Sequence, residues 1–360
     1  MNGFMKAALQ RAQAFCERFG LRVPILLAPM AGASAPSLSI AVADAGGLGA
    51  CGAVLMKPDE IVAWANEVRG DTNRRFQINL WISDPPPHRD AAHEQKVREF
   101  LSNWGPAVPP EAGDATPPSF EWQCETLLEI APPLVSSVMG LYPAGFVKRL
   151  KQRGIMWIAN VSTVAEARAA EKAGADIIAV QGMEAGGHRG CFNAADAERS
   201  QVGLFSLLPA VVDAVEVPVI ATGGIADARG VAAALTLGAS AAQLGTAFLV
   251  CPEAKIHPTW AKALTEATPE DTMLTRAFSG RAGRSLVTDY VRAAIALNAP
   301  APAPYPVQRG LTAAMRANAA KAGDLQRMQV WAGQSAGLAK VEPAAEVVRR
   351  VWQGAQELLA

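Results

Sequence analysis

One histidine, His188, lies in a glycine-rich segment whose composition suits catalysis or anion binding. It follows two glycines in the stretch 184–190, which reads Glu-Ala-Gly-Gly-His-Arg-Gly. Such a histidine can act as a base near neutral pH, or as a positively charged hydrogen-bond donor that holds an anion. Gly186 and Gly187 leave the backbone free to fold over a ligand. The plainer alternative, a loop histidine that only bonds its neighbours, stays open.

The remaining histidines are less suggestive. His88 and His93 lie in a proline-rich stretch, and His257 precedes a proline. No second histidine or cysteine stands at metal-ligand spacing from His188, so we expect no metal site.

Two glycine-containing segments each follow an apolar run and precede a helix-like run. Their glycines allow backbone N–H groups to approach a phosphate, and a helix N-terminus adds a favourable dipole. A Gly-Gly pair is also common in ordinary tight turns, and the chain has no G-x-x-x-x-G-K-[ST] segment for a nucleoside triphosphate. We therefore predict a phosphate cradle of another kind, made of Gly223, Gly224, Gln243, Leu244, Gly245 and Thr246.

Two amides and one apolar segment complete the candidate site. Asn79 and Gln181 each end an apolar run, and each offers both donor and acceptor groups. Such groups suit the mixed polar edge of a flavin ring or its ribityl chain, although a purely structural amide is the alternative. Ala28, Pro29 and Met30 end the first such run and would form an apolar shelf under a planar ring.

The alternation of apolar runs with alanine-rich segments of helical spacing predicts a parallel α/β fold. Eight near-continuous apolar strands within residues 24–246 favour a closed (β/α)₈ TIM barrel over an open sheet. Working residues of such barrels cluster at the carboxyl ends of the strands, where all the candidates above lie. The predicted strands are 24–30, 48–53, 75–82, 134–140, 156–161, 175–181, 217–222 and 240–246, and the predicted helices are 36–45, 59–69, 163–173, 203–214 and 227–237.

Three regions fall outside this repeat. Residues 84–118 are rich in proline and predict an insertion after the third strand. Residues 251–342, broken at 299–306, predict a small, mostly helical lid domain inserted after strand 8. The stretch 343–359 is amphipathic and predicts the eighth barrel helix. We thus expect a barrel made of residues 1–250 and 343–360, with 251–342 as the lid and substrate domain.

Composition excludes several classes of function. The 360 residues carry 33 basic and 33 acidic side chains, and this zero net charge argues against a nucleic-acid or membrane-surface partner. Five cysteines without a C-x-x-C pair favour a reducing, cytoplasmic location over a disulfide framework or a zinc site. The uncharged stretch 230–252 is long enough to span a bilayer, but its polar residues and glycines favour a helix followed by a buried strand.

Several motifs together resemble the nitronate monooxygenase family, formerly called 2-nitropropane dioxygenases. They are P-I-x-L-A-P-M-A-G at 24–32, A-G-G-L-G at 45–49, I-N-L-W at 78–81, G-A-D-I-I-A-V-Q-G-x-E-A-G-G-H-R-G at 174–190, I-A-T-G-G-I at 220–225, Q-L-G-T-A-F at 243–248 and F-S-G-R at 278–281. The segment around His188 is the specific part, since related flavin barrels share the others. The resemblance covers nearly the whole chain.

The resemblance implies one non-covalent FMN and a catalytic role for His188. It implies that an alkyl nitronate, such as propionate 3-nitronate or one formed from a nitroalkane, is oxidised with O₂ to a carbonyl product and nitrite. The cofactor would be held by Ala28, Pro29, Met30, Asn79, Gln181, Gly186, Gly187, Gly223, Gly224, Gln243, Leu244, Gly245 and Thr246.

Two segments depart from the family pattern, which leaves the substrate open. Ser136–Gly140 and Arg284–Leu286 differ from the usual sequences, and we expect both to line the substrate pocket. An FMN-dependent NAD(P)H reductase of quinone or enoyl-ACP type is the nearest alternative. A flavin-free barrel isomerase or lyase that binds a phosphorylated substrate is a more distant one, and the sequence does not fix the oligomeric state.

Overall fold

A parallel barrel forms the centre of the chain. The computed structural model describes residues 3–70 and 74–360. Its eight parallel strands are β1 (Ile25–Leu27), β2 (Gly49–Gly52), β3 (Phe76–Trp81), β4 (Leu134–Val138), β5 (Met156–Val161), β6 (Ile177–Gln181), β8 (Val219–Thr222) and β9 (Ala241–Leu244). They pair in the order β1-β9-β8-β6-β5-β4-β3-β2, and a parallel bridge between Leu26 and Leu48 brings the two edges together. The predicted (β/α)₈ TIM barrel is confirmed, with all eight strands at their predicted places.

Helices follow the strands and begin at recognisable residues. Pro36 and Pro58 occupy the first helical position of α2 and α3, and the side chains of Thr163 and Asp227 accept backbone N–H groups at the starts of α7 and α9. The helices are α1 (Gly3–Phe19), α2 (Pro36–Asp44), α3 (Pro58–Arg69), α4 (Ala91–Leu101), α5 (Phe120–Ile130), α6 (Ala144–Gln152), α7 (Val164–Lys172), α8 (Leu204–Val212), α9 (Ala228–Thr236), α10 (Thr246–Leu249), α11 (Pro258–Glu266), α12 (Asp289–Ala294), α13 (Val307–Leu311), α14 (Ala313–Ala322) and α15 (Ala344–Leu359).

The amino-terminal end of the barrel is closed by α1. Phe15 and Phe19 of this helix are buried in one cluster with inward-facing residues of the barrel strands, among them Leu26, Ile158 and Ile220. This packing makes the barrel interior a solid core at that end and leaves the opposite, carboxyl end free for a site. This helix was not among the predicted elements.

The carboxyl-terminal helix α15 packs against α2 and α9, as expected for the eighth barrel helix. The uncharged stretch 230–252 divides into the end of α9, the strand β9 and the short α10. Within the described ranges, no helix combines the length and the apolar character that crossing a membrane requires.

The segment after β9 is not purely helical. It contributes β10 (Thr272–Thr275) and β11 (Gly283–Leu286), which form an antiparallel sheet with β7 (Gly187–His188). This sheet was not predicted, and it places His188 against the segment after β9. The 84–118 insertion joins the same layer, because Val97 and Leu101 of α4 pack in one apolar cluster with Phe278 and Tyr290.

Candidate active site

One cavity lies at the carboxyl ends of the barrel strands and brings most of the predicted site residues together. It is lined by Ala28, Pro29, Met30, Asn79, Gln181, Gly186, Gly187, His188, Gly223, Gly224, Gln243, Gly245 and Thr246. These residues come from the ends of five different barrel strands, so the clustering follows from the barrel rather than from neighbouring positions in the sequence.

Leu244 is the exception among the predicted residues. Its side chain is fully buried in the layer between strands and helices, and it does not line the cavity. Its carbonyl oxygen accepts the N–H of Ala28 at 2.8 Å. Alternation along β9 explains this, because Gln243 faces the barrel interior and the next residue must face outward.

The floor of the cavity carries amides that the sequence analysis missed. Gln77 donates to Gln243 Oε1 at 3.1 Å, whereas its own Oε1 is buried without a partner among the described residues. The Nδ2 group of Asn160 is also buried without a hydrogen-bond partner among the described residues. Gln77 lies two positions before Asn79 on the same strand, so the period-two alternation was a signal for it. These unsatisfied groups are ready to bond a polar ligand.

Gln181 lines the cavity and also makes two contacts within the protein that were not predicted. Its Nε2 donates to the carbonyl oxygen of His188 at 3.1 Å, and its Oε1 accepts the N–H of Gly190 at 2.7 Å. Both ends of the amide therefore hold the loop after β6 in place. Asn79, by contrast, makes one side-chain hydrogen bond among the described residues, in which its Nδ2 donates to Ser136 Oγ at 3.0 Å.

The imidazole of His188 is enclosed by aromatic rings. Its centroid lies 4.7 Å from that of Trp81 and 4.8 Å from that of Trp331, and its Nε2 lies 2.8 Å from Ser279 Oγ. The Ser279 hydroxyl can donate to the carbonyl oxygen of Arg281 at 3.2 Å. That arrangement favours an Nε2–H that donates to Ser279, which leaves Nδ1 as the basic atom of the ring.

Burial, reinforced by the positive charges of Arg281 and Arg309, lowers the pKa of His188 to about 3. The ring is therefore neutral at pH 7 in the ligand-free protein, and the expected positively charged donor is not present in this state. With Nε2 bonded to Ser279, the neutral imidazole offers only its Nδ1 to a ligand in the cavity.

Arg189 follows His188 in the sequence, but it does not line the cavity. Its guanidinium donates to the carbonyl oxygens of Gln181 at 2.6 Å and Ser200 at 2.8 Å, and burial lowers its pKa. It therefore fixes the loop that follows β6. The arginine that does line the cavity is Arg309.

The glycine segments form a cradle at one side of the cavity. Gly223 and Gly224 adopt positive φ angles of 108° and 69°, a backbone conformation that residues with a side chain rarely adopt. Their N–H groups, and those of Gly245 and Thr246, bond no other residue of the described chain. Four free donors at the ends of two adjacent strands suit a phosphate.

A segment far along the chain, 332–335, completes this cradle. The N–H of Gly333 donates to Thr246 Oγ1 at 3.0 Å, and Ser335 Oγ donates to the carbonyl oxygen of Gly224 at 2.6 Å. A Cβ on Gly186 would lie 2.5 Å from the backbone nitrogen of Gly333, so only glycine allows this approach. Nothing in the local sequence of 332–335 signalled this role.

The two departures from the family pattern differ in position. At the end of β4, Ser136, Val138 and Met139 line the cavity, and Met139 adopts a left-handed backbone with φ 66°. Residues Arg284–Leu286 do not line it, because Arg284 Nε donates to the carbonyl oxygen of Met183 at 2.9 Å and Leu286 is buried. The prediction that Arg284–Leu286 line the substrate pocket is therefore wrong.

Further cavity residues come from outside the predicted site. They share an origin in strand ends or in the segment after β9, and they include Trp81, Ser279, Tyr305, Arg309, Gln329, Trp331 and Ser335. Within the described residues, no group of histidine, cysteine, aspartate and glutamate side chains has the arrangement of a metal site.

The chain is similar in sequence to proteins of one family. The family model described as nitronate monooxygenase matches residues 13–354. The chain is 39% identical over 342 residues to a nitronate monooxygenase of Paraburkholderia phytofirmans, an alignment that covers 92% of each protein. It is 37% identical over 328 residues to a probable nitronate monooxygenase of Bacillus subtilis, with 89% of this chain and 92% of that protein covered.

Solved structures agree with this relationship. The fold is similar to that of a nitroalkane oxidase from Streptomyces ansochromogenes, with a TM-score of 0.84, 35% identity, and 94% of this chain and 98% of that chain covered. FabK from Thermotoga maritima is similar with a TM-score of 0.75, 30% identity and 96% of each chain covered. With its motifs, its barrel and these similarities in agreement, the chain belongs to the nitronate monooxygenase family and is an oxidoreductase.

Proposed function

We propose that this enzyme uses bound FMN and O₂ to oxidise alkyl nitronates, such as propionate 3-nitronate, to a carbonyl product and nitrite. The observation that carries the proposal is the position of His188, which faces a cavity whose floor and rim hold unsatisfied polar groups. In this proposal the barrel, residues 1–250 and 343–360, holds FMN together with residues 332–335, which complete its phosphate cradle. The rest of residues 251–342 supplies the substrate side.

The groups around the cavity fit FMN. The buried Oε1 of Gln77 and Nδ2 of Asn160 offer one acceptor and one donor to the polar edge of a flavin ring. Ala28–Met30 line the cavity with apolar surface, and the free N–H groups of the glycine cradle suit the phosphate. When bound there, FMN supplies the redox chemistry, and the protein supplies orientation and electrostatics.

His188 acts on the substrate as a neutral ring. In the tautomer with its proton on Nδ1, Nε2 accepts from the Ser279 hydroxyl and the Nδ1–H donates to a nitronate oxygen. The aromatic rings around the imidazole exclude water from that contact. Removal of an α-proton from a neutral nitroalkane would fall to Nδ1. A base of such low pKa is weak, so the preformed nitronate is the better substrate.

We expect kcat/KM for a preformed nitronate to stay level between about pH 5 and pH 8, because His188 remains neutral throughout that range. The lowered pKa of about 3 places its protonation, and any resulting loss of function, well below this range. Initial rates of nitrite release, measured immediately after dilution of the nitronate, test this. A change in kcat/KM near pH 6.5 that is absent in the His188→Asn variant would contradict the neutral state of the His188 ring.

We expect Gly186→Ala to weaken FMN retention by about tenfold, because its Cβ would press on the backbone of the cradle. That Cβ would lie 2.5 Å from the Gly333 nitrogen and 2.6 Å from the Ala332 carbonyl carbon. The FMN content per chain after dialysis measures the effect. Gly145→Ala in α6 is the matched control, since its Cβ meets nothing within 4 Å, and equal FMN content in both variants would refute the assignment.

The absorbance of the purified protein and its reaction with NADH separate the proposal from its alternatives. A yellow protein with a band at about 450 nm, whose released flavin is FMN, is expected. Rapid anaerobic bleaching by NADH would instead indicate an NAD(P)H-dependent reductase. A colourless protein that takes up no FMN would favour a flavin-free isomerase or lyase.

A further inference from the structure

Glu184, in the loop between β6 and β7, binds the start of the next helix from outside that helix. The N–H of Leu204, the first residue of α8, donates to Glu184 Oε1 at 2.8 Å and lies 3.1 Å from Oε2. Gly203, which precedes Leu204, has no side chain that could cap the helix. A carboxylate at this position satisfies a free N–H and interacts favourably with the helix dipole. Glu184 therefore acts as the cap that the local sequence of α8 lacks.

Two glycines leave room for this carboxylate. A Cβ on Gly182 would overlap with Glu184 Oε2, and a Cβ on Gly203 would lie 3.2 Å from Oε1. A side chain at either position would crowd the carboxylate out of this place. The carboxylate thus has a defined position between the end of β6 and the start of α8.

The methylene groups of Glu184 pack against the glycine turn of the phosphate cradle. A Cβ on Gly224 would lie 3.2 Å from Glu184 Cβ and 3.4 Å from its Cγ, so no side chain fits between them. Because glycine has the widest choice of backbone conformations, the positive φ of Gly224 has to be fixed by its surroundings. Glu184 supplies one of the contacts that fix it.

The backbone of Glu184 binds a third part of the cradle. Its carbonyl oxygen accepts the N–H of Gln334 at 2.9 Å. Gln334 lies between Gly333 and Ser335, the two residues of this distant segment that bond the rest of the cradle. One residue therefore contacts the start of α8, the turn at Gly224 and the segment that completes the cradle.

The negative charge of Glu184 is balanced from the side opposite the cradle residues. Both carboxylate oxygens lie within hydrogen-bond distance of the Leu204 N–H. Burial lowers the pKa of Arg189 and of Arg284, and the negative charge of Glu184 acts in the opposite direction on both. Arg284 also donates to the carbonyl oxygen of Met183, the residue before Glu184. These two positive charges allow a carboxylate to lie close to a site for an anion.

We propose, on the basis of the proposed function, that Glu184 is a positioning residue for the phosphate of FMN. It joins the start of α8, the Gly223–Gly224 turn and the segment 332–335, and so keeps the free N–H groups of the cradle at the spacing that a phosphate requires. Preorganised donors lose binding energy when they are displaced. Loss of Glu184 should therefore weaken the binding of a flavin with a phosphate more than that of a flavin without one.

Titration of the flavin-free, full-length protein with FMN and with riboflavin tests this role. Quenching of flavin fluorescence gives each Kd, and the ratio of the two isolates the contribution of the phosphate. We expect Glu184→Ala to reduce the preference for FMN about tenfold, the factor that one charge-assisted hydrogen bond provides. Glu184→Gln keeps an oxygen that accepts the Leu204 N–H, so its preference should stay within about threefold of that of the wild type.

Glu166→Ala is the matched control. Glu166 also accepts backbone N–H groups, from Ser162 at 2.6 Å and from Phe192 at 2.7 Å, but it does not line the cavity. Its loss should leave the ratio of the two Kd values unchanged. Equal weakening of FMN and riboflavin by Glu184→Ala, an equal loss of preference in Glu166→Ala, or no rescue by Glu184→Gln would overturn the positioning role.

Amide hydrogen exchange of the flavin-free protein provides a readout that needs no ligand. Glu184→Ala should speed the exchange of the Gln334 N–H as well as that of Leu204, whereas Glu166→Ala should change neither. Faster exchange confined to α8 would contradict a role in the cradle. If the wild-type protein binds neither FMN nor riboflavin, the proposed function is contradicted instead, and the exchange of Gln334 still tests Glu184.

Discussion

Replacing His188 with asparagine is expected to lower the turnover of neutral nitroalkanes by about 100- to 10,000-fold, because it removes the base that takes the α-proton. With a preformed nitronate no proton has to be removed, so we expect a loss of only about tenfold, from one altered hydrogen bond. The two substrates therefore separate proton abstraction from binding. Initial rates of nitrite release with each substrate, at equal FMN content, measure both effects.

Ser279→Ala serves as the companion variant. Ser279 lies 2.8 Å from His188 Nε2 and positions the ring, so its loss should lower nitroalkane turnover less than the loss of the ring itself. Full nitroalkane turnover by His188→Asn would refute the assignment of His188 as the base.

Replacing Asp84 with asparagine is expected to destabilise the protein by about 3 kcal/mol, because it leaves a buried guanidinium without its counter-ion. Arg281 is only 2% exposed, and its Nε donates to Asp84 Oδ2 at 2.8 Å while its Nη2 donates to the other carboxylate oxygen. The pair joins the chain after β3 to the segment that holds Ser279. Chemical denaturation of the FMN-bound protein measures the change in the free energy of unfolding.

The ion pair between Arg292 and Asp289 provides the matched control. It is also an arginine–aspartate pair, but its side chains are 60% and 59% exposed, so Asp289→Asn should cost less than about 1 kcal/mol. Similar effects of the two substitutions would show that burial does not govern the Arg281–Asp84 pair.

Local patterns in the sequence were sufficient for the barrel and for most of one side of the site. Apolar runs with regular spacing located all eight barrel strands, and Pro36, Pro58, Thr163 and Asp227 marked helix starts within a residue or two. Because strand ends in a barrel meet at one face, the residues after these strands could be grouped without knowledge of their contacts.

Contacts between distant segments could not be predicted in this way. Gly187 and His188 form a strand only because β11, almost a hundred residues later, pairs with them. Arg309 and Ser335 reach the cavity through the packing of the segment after β9, and neither lies in a distinctive motif. The low pKa of His188 likewise depends on enclosure by the whole fold and on two distant arginines.

Leu244 and Gln181 show a different limit, since their positions in the barrel were predicted but their contacts were not. The side chain of Leu244 faces away from the cavity because residues alternate along a strand. Gln181 lines the cavity, but its amide is occupied by the backbone of the loop that carries His188. A motif identifies a residue, whereas its hydrogen-bond partners determine whether it is available to a ligand.

Nitrite release from propionate 3-nitronate, measured in air and under anaerobic conditions, tests the central claim most directly. The FMN-loaded protein is expected to release nitrite and consume O₂ in air without NADH, and to stop after about one turnover when O₂ is removed. If nitrite release in air does not exceed that of a buffer control, or requires NADH, the assignment as an O₂-dependent nitronate oxidising enzyme is contradicted.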